Sequence, residues 1–457
     1  MAVSLAARTL ALRKWDAVVR RTFAVFVAGG LVAGAMLGAA SPAQAASVTY
    51  SIEDLGTLTG DYASVAMGIN QFGDVVGWSA GPTGTRAFVY TTAGGMAALP
   101  GPAGRQVSTA RAINGSGTVV GTASTGGSDI GRAVRWQSGI ATDLGTLGSG
   151  SFSEARGVNA TGTIVGSSST DGGGLLGTHA FRYSTASGMV DLTPGDDDAH
   201  AEGINDSGQI VGWRNGRAFR RTGTTFTDLG VPTGFAHSFA YAINGSGQVA
   251  GHVISGSGNS ERIFRYSNGV MTVIGGLGEF NRAFGINAAG DVVGQGLPVL
   301  GLKQGFVYTD ANGMQGLNQL IAPTSGWFIL GATGINDAGQ IVGWASGPNG
   351  QRAIRLTPSV ASATPPPAPS ALAADALAGA QVRLTWTDHA ANELGFRVQR
   401  ALGSQATFVL IGSTGANVTT FTDTTAKAGK TYRYRVRAYN DAGPSSWSNT
   451  VSIRARR

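Results

Sequence analysis

A pattern of small, polar and apolar positions recurs along the chain. Its clearest form is GINDSGQIVGW (203–213), which returns as GINDAGQIVGW (334–344) with one exchange. Small residues precede a turn of the form N-x-x-G, and an apolar pair with glycine follows it. Asparagine and glycine are typical of tight turns, and consecutive apolar residues indicate a strand that is buried on both faces. The pattern therefore predicts a buried β-hairpin at each copy.

Seven copies of this hairpin are present. Their turns begin at Asn70, Asn114, Asn159, Asn205, Asn244, Asn287 and Asn336. A third apolar element such as RAFVY (86–90) follows each hairpin, and a weaker fourth such as GMAAL (95–99) follows six of them. The fourth element is missing after RAIRL (352–356), whereas VTYSIEDLGTL (48–58) stands before the first hairpin. The N-terminal strand is therefore expected to complete the last repeat.

A repeat of about 44 residues with four strands is typical of propeller blades. The glycine content, 72 of 457 residues, also favours a turn-rich all-β protein. We therefore predict an all-β chain in which residues 46–358 form a seven-bladed β-propeller closed by its N-terminal strand. An open β-solenoid with the same period is the alternative.

These repeats resemble the extracellular HAF-repeat family, and the tripeptide that names it occurs as His179-Ala180-Phe181. The similarity covers roughly residues 50–358. Arginine or glutamine stands at the histidine position in most repeats, which disfavours a chemical role for that histidine. The resemblance implies a secreted repeat protein, and it implies little about activity.

The end of the chain has a different pattern. A proline- and alanine-rich linker is expected at 359–371, followed by a small β-sandwich at 372–457. The run TYRYRVRAYN (431–440) alternates, so that tyrosine, valine and alanine share one face and Arg433, Arg435 and Arg437 share the other. VRLTW (382–386), this run and AGPSSWSN (442–449) resemble a fibronectin type III domain, with Tyr432 at its tyrosine-corner position. Such modules are common spacers in secreted bacterial polymer-degrading enzymes.

Residues 1–45 have the features of a signal peptide. Basic residues precede the apolar run 23–40, and SPAQA (41–45) offers a cleavage site after Ala45. RRTFAV (20–25) resembles a twin-arginine motif, so either that route or the Sec route is open. We expect a secreted, periplasmic or cell-surface protein with no membrane association after cleavage, and a membrane-anchored form is the less favoured alternative.

Composition narrows the chemistry further. The absence of cysteine excludes disulfides and thiolate metal sites, and no clustered basic face of a nucleic-acid binder is evident. The five histidines lack metal-ligand spacing. The acidic loop PGDDDAHAEG (194–203) offers oxygen ligands to calcium, although a solvated loop is the preferred interpretation; no cofactor is otherwise expected.

The loops that lead from a fourth strand into the next hairpin vary in sequence, and variable loops on a constant scaffold commonly bind ligands. We therefore predict ligand-binding residues in these loops, and we predict no catalytic or metal-binding residues. The candidates are Phe152, Glu154, Asp197, His200, Phe235, His237, Phe280, Arg282 and Trp327. The alternative is that the aromatic residues are buried beneath their own loops and bind no ligand.

Two functions remain open at this point. The favoured one is a secreted, non-enzymatic protein that binds an extracellular polysaccharide or protein through this loop face. The alternative is a polysaccharide hydrolase or lyase with the C-terminal module as an accessory, for which Glu154 and Asp197 form the first acid–base pair to consider. The oligomeric state has no signature in the sequence.

Overall fold

The computed structural model describes residues 48–127, 129–171, 177–196, 198–298, 301–360, 365–390, 392–405, 407–440 and 442–456. They form 36 β-strands and one 3₁₀ turn, Leu317–Gln319. The all-β prediction is confirmed. The predicted signal peptide lies outside the described residues, as does part of the predicted linker.

The strands are numbered in chain order, and the N-terminal one is β1 (Val48–Asp54). Sheets 1 to 3 each hold four consecutive antiparallel strands. Sheet 1 holds β2 (Ala63–Ile69), β3 (Val75–Gly81), β4 (Gly84–Thr91) and β5 (Gly95–Ala98). Sheet 2 holds β6 (Val107–Ile113), β7 (Val119–Ser124), β8 (Arg132–Gln137) and β9 (Ile140–Asp143). Sheet 3 holds β10 (Ser153–Val158), β11 (Ile164–Ser169), β12 (Thr178–Ser184) and β13 (Gly188–Asp191).

Sheets 4 to 6 repeat this order. Sheet 4 holds β14 (Ala199–Ile204), β15 (Ile210–Arg214), β16 (Arg217–Thr222) and β17 (Thr225–Asp228). Sheet 5 holds β18 (Phe235–Ile243), β19 (Val249–Ser255), β20 (Glu261–Ser267) and β21 (Val270–Gly275). Sheet 6 holds β22 (Phe280–Ile286), β23 (Val292–Leu297), β24 (Gln304–Thr309) and β25 (Gly313–Gly316).

Sheet 7 combines the two ends of the repeat region. It holds β26 (Phe328–Ile335), β27 (Ile341–Gly347), β28 (Gly350–Val360) and, beside β28, β1. Seven residue pairs join β1 to β28, from Val48 opposite Val360 to Asp54 opposite Ile354. The pairing leaves β28 with a partner on both sides. Strand β28 also runs two residues into the segment predicted as a linker.

The predicted fold class, a seven-bladed β-propeller closed by its N-terminal strand and followed by a fibronectin type III sandwich, is corrected by this arrangement. The described residues form nine separate antiparallel sheets, seven of them small four-stranded sheets, and none of those sheets closes on itself. The length of a repeat indicates how many strands one repeat contains, but it does not determine the fold class. The structure therefore supports an all-β chain of many small sheets.

The hydrophobic core is divided among the junctions between sheets. One buried cluster joins Ala66 and Phe88 of sheet 1 to Val342 and Ala353 of sheet 7, and similar clusters join the other neighbours. The constant glycine of each second strand allows close packing inside the sheet. A Cβ at Gly77 would lie 2.0 Å from the carbonyl oxygen of Val65 on β2, so no other residue fits there.

The C-terminal strands form two sheets around one core. The three-stranded sheet holds β29 (Ser370–Ala376), β30 (Val382–Thr387) and β33 (Thr420–Asp423). The other holds β31 (Gly395–Leu402), β32 (Val409–Gly415), β34 (Thr431–Asn440), β35 (Gly443–Pro444) and β36 (Val451–Arg454). The predicted alternation of β34 is confirmed, because Tyr432, Tyr434 and Val436 are buried. The Tyr432 hydroxyl accepts a 3.0 Å hydrogen bond from the backbone N–H of Lys427, the contact expected of a tyrosine corner.

Candidate functional site

A β-bulge interrupts the first strand of every repeat sheet at the same place. The pairing between first and second strands skips one residue, three positions before the turn asparagine. The seven skipped residues, called here the bulge residues, are Met67, Arg111, Arg156, Glu202, Tyr241, Phe284 and Thr333. All seven are half-buried. A bulge redirects the side chain it carries, so one variable side chain in each sheet leaves the regular alternation.

Ion pairs connect the bulge residues of sheets 3 and 4. The Arg156 guanidinium contacts the carboxylate of Glu154 on its own strand and lies 3.3 Å from that of Glu202 on β14. A similar pair joins Arg282 on β22 to Glu261 on β20, at 3.4 Å. The side chain of Arg156 is 24% exposed and that of Arg282 is 39% exposed. Both arginine side chains are therefore partly exposed, while their carboxylate partners are largely buried.

The ionisation of Glu154 follows from these contacts. Burial alone would raise its pKa, but the positive charges of Arg156 and Arg111, with the hydrogen bond from Arg156, lower the pKa to about 2. Glu154 is therefore a carboxylate at neutral pH. It carries no proton to donate as a general acid.

Aromatic rings continue the site from sheet 4 to sheet 5. His200 stacks on Trp213 with ring centroids 4.2 Å apart, and Trp213 meets the edge of Phe239 at 5.1 Å. His252 then stacks between Phe239 and Tyr241, at 5.2 and 5.3 Å. We call the ion pairs of Glu154, Arg156, Glu202, Glu261 and Arg282, with these five rings, the inner cluster.

Three polar atoms of the inner cluster are buried without a hydrogen-bond partner: Nε of Arg156, Nε1 of Trp213 and Nδ1 of His252. Burial and the charge of Arg282 lower the pKa of His252 well below its usual value, so this ring is neutral at pH 7. Burial also raises the pKa of Tyr241 to about 12, so its hydroxyl keeps its proton. The cluster therefore offers neutral donors and acceptors beside its ion pairs.

Ser167, His200 and Asp198 invite comparison with a nucleophilic triad. The Ser167 hydroxyl lies 3.0 Å from Nδ1 of His200 and donates to Glu154 at 3.2 Å, and Asp198 lies 3.6 Å from Nε2 of His200. Ser167 has no exposed surface. Because a nucleophile must reach its substrate, this group positions Glu154 and His200 and does not act as a catalytic triad.

The structure places the predicted site residues unevenly. It brings Glu154, His200 and Arg282 into the inner cluster, and His237 lies near Phe239 with ring centroids 6.3 Å apart. Asp197 lies outside the described residues. The pair of Glu154 and Asp197 consequently has no measured separation.

The four aromatic candidates in these loops differ in their exposure. Phe152 is buried at 6% exposure, and Phe235 and Trp327 are half-buried against the cores of sheets 5 and 7. Apolar ring surface is more stable against these cores than in water, which favours the alternative that these aromatic residues are buried. Phe280 alone is exposed, at 41%.

The acidic loop does not gather ligands for calcium in its described part. The Asp196 carboxylate accepts hydrogen bonds from Arg214 at 3.3 Å and Asn215 at 3.2 Å. Across the described residues, no group of three or more acidic, histidine or cysteine side chains is placed to hold a metal. A guanidinium beside Asp196 opposes a second cation there.

The bulge residues Arg156, Glu202 and Tyr241 were not predicted from the sequence. A signal for them exists, because the position three before each turn asparagine varies freely while its neighbours remain alanine or glycine. Constant small neighbours around one variable side chain indicate a shared backbone feature that presents that side chain.

Comparisons with known proteins assign this chain to no family. No protein-family model matches it, and no curated protein matches it. A solved Fn3-like protein from Clostridium thermocellum is 24% identical, with a TM-score of 0.19, and the match covers 21% of this chain and 97% of that one. A structure named FN3tt is 24% identical, with a TM-score of 0.19 and coverages of 21% and 98%. A myokine structure is 18% identical, with a TM-score of 0.18 and coverages of 20% and 99%.

At such TM-scores the likeness to these three structures carries no argument about the fold of the whole chain or about its function. Within the part of the chain that the structure describes, no helix has the length and apolar character needed to span a membrane.

Proposed function

We propose that this chain is a secreted, non-enzymatic binding protein that holds the sugar units of an extracellular polymer at the inner cluster. The observation that carries the proposal is the meeting of half-buried aromatic rings with partly exposed arginine side chains that pair with buried carboxylates. In the same proposal, the repeats are HAF-like and the C-terminal module is of the fibronectin type III kind.

The chemistry of the inner cluster favours hydroxyl-rich ligands. A sugar hydroxyl both donates and accepts hydrogen bonds, and an arginine–carboxylate pair presents donors and acceptors side by side. Aromatic rings cover the apolar faces of sugar rings, and binding sites usually combine such surfaces with a few placed polar groups. Tyr241 and Trp213 supply the rings, and Arg156 with Glu202 supplies the pair.

The charge of the inner cluster favours a neutral ligand. The cluster holds three carboxylates, those of Glu154, Glu202 and Glu261, and two guanidiniums, those of Arg156 and Arg282. The adjacent bulge residue Arg111, whose charge acts on Glu154, balances the third carboxylate. Lys303 adds one cation at the edge, where burial and Arg282 lower its pKa. A strongly charged ligand would be repelled by the charges of its own sign in this cluster, whereas a neutral oligosaccharide would not be repelled.

The hydrolase alternative has less support. Glycoside hydrolysis needs one protonated carboxylic acid beside the scissile bond, and Glu154 is held as a carboxylate by Arg156 and Arg111. Glu202 is also paired with Arg156, at 3.3 Å. Binding without bond cleavage is therefore the function that this arrangement supports best.

A glycan array probed with the purified full chain tests the proposal. The wild type is expected to bind neutral oligosaccharides, and Tyr241→Ala is expected to weaken that binding at least about fivefold. Stacking of a base on an aromatic ring contributes on the order of 1–3 kcal/mol, and we expect a sugar face on Tyr241 to contribute in the same range. Tyr183→Ala is the matched control, since Tyr183 is a half-buried tyrosine of β12 outside the cluster. Equal binding by wild type and Tyr241→Ala would reject the site, and release of reducing ends from a bound oligosaccharide would reject the non-enzymatic assignment.

A further inference from the structure

The C-terminal module presents a face of arginines on its five-stranded sheet. Arg433, Arg435 and Arg437 occupy alternate positions of β34 and point away from the buried tyrosines. On the paired strand β31, Arg397 stands directly opposite Arg437. We call these four residues the arginine face. Alternate residues on a strand lie about 7 Å apart, so the charges form a row.

Two aromatic rings are inserted between these guanidiniums. Phe408 lies under Arg433 and Arg435, with guanidinium carbons 5.3 and 4.2 Å from its centroid. Trp447 lies under Arg435 and Arg437, at 4.0 and 4.3 Å. This ladder fixes the planes of the guanidiniums without neutralising them.

No carboxylate compensates the arginine face among the described residues of the module. Asp375 pairs with Arg383 at 2.8 Å and Asp423 pairs with Arg400 at 2.7 Å, both away from this face. The pKa of Arg435 is lowered by burial and by the charge of Arg437. Like charges opposite each other on paired strands, as at Arg397 and Arg437, also cost stability. The row is therefore an uncompensated positive surface on a rigid support.

We propose that the arginine face binds an acidic polysaccharide through its carboxylate groups. This site is separate from the inner cluster and does not depend on it. The guanidinium is planar and matches the two oxygens of a carboxylate, and the ladder holds several such groups in a row before the ligand arrives. Repeated carboxylates along one polymer would then engage several guanidiniums at once.

The ladder favours an acidic polysaccharide over a single-stranded nucleic acid. Proteins that bind single strands present open aromatic faces on which bases stack. Guanidiniums already lie over Phe408 and Trp447, with Arg435 over both. Arg435 already donates to the side chain of Gln399, and Arg433 donates to the backbone carbonyls of residues 403 and 405. The face thus offers positive charge from all four guanidiniums and planar hydrogen-bond donors from Arg397 and Arg437, and it does not offer free stacking platforms.

Binding of the full chain to polygalacturonate at low salt tests the proposal, with neutral dextran and single-stranded DNA as comparison ligands. Polygalacturonate binding is expected to weaken with salt. In Arg397→Gln/Arg437→Gln, the Kd is expected to rise at least about tenfold, since hydrogen bonds to charged groups are worth roughly 1.5–3 kcal/mol each. Arg383→Gln, which removes one charge on the opposite sheet, is the matched control and is expected to bind as the wild type does.

Folding of the double variant is checked by its thermal unfolding midpoint, which is not expected to fall because the change removes a like-charge pair. If the double variant does not fold, Arg397→Gln alone serves, because Arg397 is exposed. Tyr241→Ala is expected to keep polygalacturonate binding, which separates this inference from the proposed function. Unchanged binding by the arginine variants, or equal binding of DNA and polygalacturonate, would overturn the assignment.

Discussion

The side-chain amide of Asn336 donates a 3.2 Å hydrogen bond to the backbone carbonyl of Asn70, which lies 266 residues earlier in the chain. The same bond joins each turn asparagine from Asn70 to Asn244 to the asparagine of the next sheet, at 2.9 to 3.3 Å. Each Oδ1 also accepts the backbone N–H four residues on. One buried amide therefore shapes its own turn and links its sheet to the neighbour, which explains why the residue recurs.

Asn287 provides an internal comparison for this bond. Its amide donates to Asp291 at 2.9 Å and not to the next sheet. Asn336→Ala is expected to lower the free energy of unfolding by about 1 kcal/mol more than Asn287→Ala, the net worth of one hydrogen bond. Urea unfolding of both variants measures the difference. Equal losses would mean that the bond between sheets 7 and 1 contributes nothing.

Deletion of residues 46–58 removes β1, and with it the only described partner of β28 on that side. Arg355 of β28, whose side chain is 8% exposed, would lose Glu53 at 2.8 Å. An unpaired strand edge promotes association, so we expect a lower thermal unfolding midpoint and more aggregation. Light scattering during a thermal melt reports both. Glu53→Gln is the control, since it removes the ion pair and keeps the strand, and an unchanged melt of the deletion would contradict the structural role of β1.

The pKa of Glu154 predicts a dependence of stability on pH. Its pKa is about 2 in the folded chain, compared with 4.5 for an unperturbed glutamate. The folded-state value is the lower one, so the stabilisation is present above pH 4.5 and is lost as the pH falls toward 2. We expect Glu154→Gln to be less stable than wild type at pH 7, by roughly 1–3 kcal/mol, because Arg156 loses one of its two carboxylate partners, and we expect the gap to narrow below pH 4. Urea unfolding at several pH values checks this, and a gap that stays constant would show that Glu154 is not held ionised by Arg156.

Much of the strand order was accessible from the sequence. The N-x-x-G turns and apolar pairs predicted all seven hairpins, and the missing fourth strand after RAIRL (352–356) indicated a partner for the N-terminal segment, which pairs with β28. The alternation of β34 predicted its buried and exposed faces. These features succeed because they rest on local turn chemistry and on side-chain periodicity.

The fold class and the inner cluster could not be predicted from the sequence in this way. A period of about 44 residues is shared by several repeat architectures, so it did not settle the class. The bulge shifts the alternation by one residue within each first strand, so a rule of two-residue alternation misplaces Arg156, Glu202 and Tyr241. The burial of Phe152, at 6% exposure, depends on tertiary packing, which the local sequence does not encode.

The position of a bound oligosaccharide is the most direct test of whether sugars bind at the inner cluster. A crystal structure of the full chain, soaked with the strongest ligand from the glycan array, would show where the sugar lies. We predict a sugar ring against Tyr241, with its hydroxyls within hydrogen-bond distance of Arg156 and Glu202. Sugar density that lies elsewhere on the chain, with the inner cluster unchanged and open to solvent, would contradict the account.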